Sequence, residues 1–173
     1  ELSNEARLDA LVSLEVDLML PVDAMTRVAA ALTDQESAKA LARRLKLSNE
    51  ERDRLVAALG DDVKLTSYMS LREMRRAIYK LGNEAFSDRI KLAWADGGGE
   101  KAQQWRALVA HGQMWTPPKL PLTGDDVMAA GVPAGPKVGV ILREVEDWWI
   151  DADFPDDKLS VIERLKAVAQ GLA

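Results

Sequence analysis

Helix-start and helix-stop signals recur along this chain so densely, and strand signals are so scarce, that little except helices can be built from it. Ser48-Asn49-Glu50-Glu51 and Ser70-Leu71-Arg72-Glu73 are capping boxes. In each, the serine oxygen accepts from the N–H three residues on, and the glutamate reaches back to the serine N–H, so donors left orphaned at a helix start are satisfied. These starts predict one helix ending at Gly60 and another ending at Gly82, glycine being the usual stop. Upstream, a first helix is expected from about Asn4 to Asp17, with Leu8, Leu11, Leu14 and Leu18 along an apolar face and Pro21 closing it. Asp23 caps a second, from Ala24 to about Leu32. Asp34 starts a third, whose Ala38, Leu41, Ala42 and Leu45 follow the i, i+3, i+4, i+7 rule. Downstream, helices are expected from about Asn83 to Ala95, stopped by Gly97-Gly98-Gly99, and from Glu100 to His111, with Ala102, Trp105, Leu108 and Val109 inward. No alternating Val/Ile/Thr/Tyr run is bounded by turns. The expected fold is all-α, a multi-helix body of antiparallel helices on short connections followed by a small helical tail.

The boundary between the two is set by Thr116-Pro117-Pro118-Lys119-Leu120-Pro121, because three prolines in six residues forbid helix and stiffen the segment. This gives a body over 1–115, a linker over 116–121 and a tail over 122–173. Body and tail each have enough residues to bury a core. There is no cysteine, which removes disulfides and thiolate metal sites and makes a reducing cytoplasm the default location. No apolar run approaches the length of a membrane span, roughly 20 residues. Glu1 to Arg7 is too polar for a signal peptide, so no membrane partner is expected. The start at Glu1 rather than methionine fits a fragment excised from a longer chain, and trimming of a tag would look the same. A net charge of −5 argues against a nucleic-acid partner until its distribution is examined. Residues 1–60 carry 8 basic and 11 acidic side chains, residues 61–120 carry 10 and 7, and residues 121–173 carry 5 and 10. Positive charge is concentrated in the middle third.

The tail holds the most informative stretch, Leu122-Thr123-Gly124-Asp125-Asp126-Val127-Met128-Ala129-Ala130-Gly131-Val132-Pro133-Ala134-Gly135-Pro136-Lys137-Val138-Gly139. Thr123 caps a short helix with Asp126 at its third position, and Gly131 ends it with positive φ. Gly135 then serves as N-cap and Pro136 as first residue of a long helix, with Gly139 expected to let a second backbone approach. Val138, Ile141, Leu142, Val145, Trp148 and Trp149 keep helical spacing and are expected in the core. A glycine-bounded, helix-hairpin-helix-like turn of this kind presents free N–H groups at a helix N-terminus, which suits a phosphate, and Lys137 adds a full charge. The same glycines also suffice for a plain αα turn.

This stretch, continued by Val140-Ile141-Leu142 and then Glu146-Asp147-Trp148-Trp149, resembles the tail of bacterial CCA-adding tRNA nucleotidyltransferases and related bacterial poly(A) polymerases. Leu45 to Leu59 is similar to a segment of the same family's helical body. The resemblance implies an all-helical body and tail that grip the acceptor arm and elbow of tRNA, with tRNA as partner. It also implies a catalytic head and a nucleotide-selecting neck that lie outside this sequence. The head's Gly-Ser start and Asp-x-Asp pair, and the neck's Glu-Asp-x-x-Arg template, have no counterpart here. No catalytic residue carries over, no cofactor is expected in this part, and the Mg²⁺ of nucleotidyl transfer belongs to the head. The choice between CCA and poly(A) addition lies there too.

Read from its own residues, the helix after Ser70 has a strongly basic side. Arg72, Arg76 and Lys80 stand at i, i+4, i+8 beside Arg75, while Leu71, Met74, Ile78 and Leu81 fall opposite, toward the core. Arg89 and Lys91 on the next helix extend the stripe into a patch suited to consecutive phosphates of a structured RNA. An ordinary solvated face has the same pattern, and the tRNA resemblance favours phosphate contact. The candidate RNA-binding residues are therefore Arg72, Arg75, Arg76, Lys80, Arg89 and Lys91 in the body, and Gly135, Lys137 and Gly139 in the tail. His111 has no second histidine or cysteine with which to bind metal, so a helix-end position is expected. The acid runs Asp151-Ala152-Asp153 and Asp156-Asp157 read as caps. Trp94, Trp105, Trp115, Trp148 and Trp149 are candidates for stacking on exposed bases, but Trp105, Trp148 and Trp149 lie in apolar faces and core packing is favoured, Trp115, beside the linker, being the exception. Three functions are consistent with these residues: a tRNA-binding part of a nucleotidyltransferase, a helical protein-interaction module, and a hydrolase, the last disfavoured by the lack of any nucleophile–base pair or metal cluster.

Overall fold

The computed structural model describes residues 3–97 and 100–171, and every regular element among them is a helix. Gly98 and Gly99, two of the three glycines expected to stop the sixth helix, lie outside the described residues. The chain divides into two compact units, Glu1–Pro117 and Pro118–Ala173.

The first unit contains α1 (Glu5–Asp17), α2 (Ala24–Ala31), α3 (Gln35–Leu45), α4 (Asn49–Ala58), α5 (Leu71–Leu81), α6 (Asn83–Asp96) and α7 (Ala102–Met114). Local chemistry sets most of the starts. Asn4, Asp23, Asp34, Ser48 and Ser70 each accept a backbone N–H of the first turn they precede. The end of α2 is closed from a distance, by the Arg7 guanidinium donating to the carbonyls of Ala29, Ala30 and Leu32. Helix α7 departs from the sequence expectation at both ends: Lys101 takes the left-handed conformation (φ 56°) and delays the start to Ala102, and the helix continues past His111 through Gly112 to Met114. Ala102, expected inward, is exposed in that opening turn, and His111 sits in the last one.

Helix α6 is the centre of this unit. Its Leu92 and Ala95 join Leu11, Ala29, Leu32, Leu41 and Leu55 in one core. Its Phe86, Ile90 and Trp94 join Met74, Ile78, Trp105 and Leu108 in another. A helix covered on two sides traps polar side chains, and these must be partnered. Asp88, 2% exposed, accepts from the Thr26 hydroxyl at 2.7 Å and twice from Arg54, at 2.9 and 3.1 Å. Arg54 also reaches Asp23 at 2.9 Å and Glu84 at 3.3 Å. The bonds from Asp88 and then Asp23 hold the guanidinium charged against the cost of its burial.

The second unit contains α8 (Gly124–Ala129), α9 (Pro136–Asp151) and α10 (Lys158–Gly171) around Val127, Ile141, Val145, Trp149, Val161 and Leu165. On α9 the face expected to be core is only partly so, since Val138, Leu142 and Trp148 are half-buried. Trp149 is buried, donates its indole N–H to the Pro155 carbonyl at 2.8 Å and meets Phe154 edge to face. Asp157 accepts the N–H groups of Leu159 and Ser160, capping α10.

Candidate nucleic-acid interface

Helix α5 carries four of the nine candidate residues, and its cap and core face fix which way they point. Glu73 accepts the Ser70 N–H at 2.7 Å and the Ser70 hydroxyl at 2.8 Å. These bonds hold the Glu73 carboxyl below its ordinary range. Met74, Ala77 and Ile78 anchor the helix in the second core of the first unit. Arg72 is left exposed, and Arg75 and Arg76 are half-buried. Leu71, expected toward the core, is 54% exposed instead: as the first residue of the helix it precedes the turn that packs.

Lys80 and Arg89 both turn to Asp62. Lys80 Nζ lies 3.2 Å and Arg89 Nη1 2.8 Å from its carboxylate. The two cations, Arg89 first, hold the Asp62 carboxyl below its usual range. Arg89 is 8% exposed and donates a second bond to the Ala57 carbonyl at 2.6 Å, with its guanidinium against Gly60. The expectation that Arg89 extends an outward stripe is corrected by this burial. Its charge closes the connection after α4 rather than facing solvent. Lys91 is half-buried on α6.

The tail candidates sit together on the first turn of α9. Before it, the Thr123 N–H donates to Asp126 at 2.7 Å and the Thr123 hydroxyl at 2.8 Å. This is the expected capping box of α8. Gly131 (φ 96°) and Gly135 (φ 153°) take backbone conformations that L residues avoid, and Pro136 opens α9. Lys137 is exposed and lines a hollow of about 150 Å³ with Val132, Pro133 and Ile141. Gly139 does not serve a close helix crossing: it is exposed, and a Cβ placed there has no atom within 4 Å. The contact between α8 and α9 runs instead through Gly124, whose Cβ position lies 3.5 Å from Val138 Cγ1. Trp115 is half-buried against the second core of the first unit, and its carbonyl, like that of Gly112, accepts the Asn83 amide at 2.7 Å.

One feature escaped the sequence reading. The connection from Asp61 to Met69 lies against α5 and leaves a groove of about 370 Å³, with Val63, Met69 and Ala77 beneath and Lys64, Thr66, Tyr68, Glu73, Arg76 and Lys80 around it. Tyr68 is 76% exposed, and Lys101 Nζ stands 5.7 Å from its ring centre. The signal was an aromatic residue in a polar connection free of glycine and proline.

Comparison with known proteins adds a family. The model of the family described as tRNA nucleotidyltransferase domain 2, putative, matches residues 23–165. A Rhodospirillum rubrum protein described as an uncharacterized 28 kDa protein in the petA 5′ region is 36% identical over 81 residues, covering 43% of this chain and 31% of that one.

Proposed function

Since the chain belongs to the tRNA nucleotidyltransferase domain 2 family, matched over residues 23–165, we propose that it is the part of such an enzyme that holds tRNA. It grips the acceptor arm and elbow while a separate head transfers CCA, or adenylate in a poly(A)-adding relative. The work is cytoplasmic. The observation that carries this reading is α5, where Arg72, Arg75 and Arg76 lie on a helix whose opposite face is locked in the core. A rigid row of guanidinium groups meets consecutive phosphates without reading bases, so shape selects the RNA. Lys137 and the exposed first turn of α9 supply a second phosphate contact in the tail. The chain itself transfers no nucleotide, because the head's Gly-Ser start and metal-binding aspartate pair do not carry over to it: its Asp-x-Asp spacing, Asp151-Ala152-Asp153, stands at the end of α9.

Fluorescence titration of tRNA with the wild type and with Arg72→Ala/Arg75→Ala, over a range of salt, tests this. Each phosphate contact removed lowers the log–log salt slope by about 0.7–0.9 and weakens all tRNA sequences alike. Equal affinity and equal slope for the two proteins would make the basic face a solvated surface.

A further inference from the structure

The groove beside α5 combines three features that a purely phosphate-reading face does not need. Its floor is apolar, from Val63, Met69 and Ala77. Its edge carries three cations, Lys64, Arg76 and Lys80, against one carboxylate, Glu73, which the Ser70 cap holds in place. At its mouth stands Tyr68, 76% exposed, with the Lys101 ammonium 5.7 Å from its ring centre. A tyrosine so exposed gains little by burial in this fold, whereas an aromatic face next to cations is the composition that binds unstacked nucleotides. The volume is about 370 Å³. That falls in the range of small-ligand sites, roughly 300–1,000 Å³.

Resting on the reading that this chain holds RNA, we propose that the groove takes one splayed-out nucleotide of a single-stranded segment. Its base stacks on Tyr68 at the edge of the apolar floor, and its phosphate meets Lys64 and Lys80. Lys80 is already drawn to Asp62, so it contributes a shared charge, and Lys64 is the main phosphate partner. This makes the body a reader of an unpaired nucleotide as well as of helical shape.

A fluorescein-labelled RNA hexanucleotide, measured by anisotropy against wild type, Tyr68→Ala, Tyr68→Phe and Lys64→Ala, tests the proposal, with helicity checked for each variant. Tyr68→Ala is expected to weaken binding about tenfold and Tyr68→Phe, which keeps the ring, by less than about twofold. Lys64→Ala lowers the salt slope, while Tyr68→Ala leaves it unchanged because stacking releases no counterions. Free nucleoside 5′-monophosphates, followed by amide shifts at residues 63–80, separate a site for free nucleotides from one that requires a strand: shifts with the hexanucleotide alone assign the strand. Hexanucleotide binding unaltered by both Tyr68→Ala and Lys64→Ala overturns the proposal, as does displacement of the RNA by polyglutamate at equal charge. If tRNA binding still responds to Arg72→Ala/Arg75→Ala in that case, only the groove assignment falls. If the wild type binds no tRNA, the reading beneath it falls as well.

Discussion

Gly112 shows at the scale of one residue how closely α6 and α7 approach. A Cβ at this position lies 2.8 Å from Phe86 Cδ1 and Cε1, and the Phe86 ring is fully buried, so it cannot swing away. Alanine at a helical glycine normally gains about 1 kcal/mol, but overpacking a rigid core costs about 1–3 kcal/mol. Gly112→Ala is therefore expected to lower stability by about 1 kcal/mol, seen as a reduced urea midpoint at unchanged m-value. Nothing in the sequence marks Gly112, since the clash is with a side chain on the preceding helix. Arg89 was illegible for the same reason. Its place in a basic run is local, but the Asp62 carboxylate and Ala57 carbonyl that draw it inward are 27 and 32 positions away.

Elements whose ends are decided within one turn were legible: Ser48, Ser70 and Thr123 cap where their boxes stand, Asp34 starts the helix expected of it, and Gly131 takes positive φ after α8. Elements decided by packing were less so. Helix α10 is marked by the Asp157 cap and by Val161, Leu165, Val168 and Ala169 at helical spacing, whereas the Asp61–Met69 connection, which carries no periodicity of its own, forms one wall of the groove. On α9 and the turn before it, two glycines expected to act together separate. Gly131 has φ 96°, which Gly131→Ala would force on an L residue. That substitution is expected to destabilise the tail by about 1–2 kcal/mol. Gly139→Ala meets empty space. It is expected to stabilise the tail by about 0.5–1 kcal/mol. Thermal unfolding of the two variants, monitored by the tail's Trp148 and Trp149, gives shifts of opposite sign if α9 is built as described.

At the scale of the whole molecule, a set of capped and ion-paired carboxylates spread over both units responds to pH in one direction. The Asp62 carboxyl is held low by Arg89 and Lys80, Glu51 by Ser48, Glu73 by Ser70, Asp126 by Thr123 and Asp157 by Ser160. Burial alone would raise Asp23, but the Thr26 N–H and Arg54 outweigh it. Groups depressed in the folded state contribute stability above their unfolded pKa, about 4, and lose it as pH falls through the folded value, because the unfolded chain then binds more protons. The melting temperature is expected to stay level from pH 7 to about 5 and to drop below about 4. A maximum near pH 4 would contradict these assignments.

Because α6 lends one side to each core of the first unit, neither half can open while the other stays closed without exposing that helix to water. The amide hydrogens of Phe86, Ile90, Leu92 and Trp94 should therefore exchange with deuterium only when the entire unit lets go, and should share one denaturant dependence. Amides in the first turn of α1 and at the exposed positions of the Asp61–Met69 connection, which has no helical hydrogen bonds, should exchange by local opening, much faster and almost independently of denaturant.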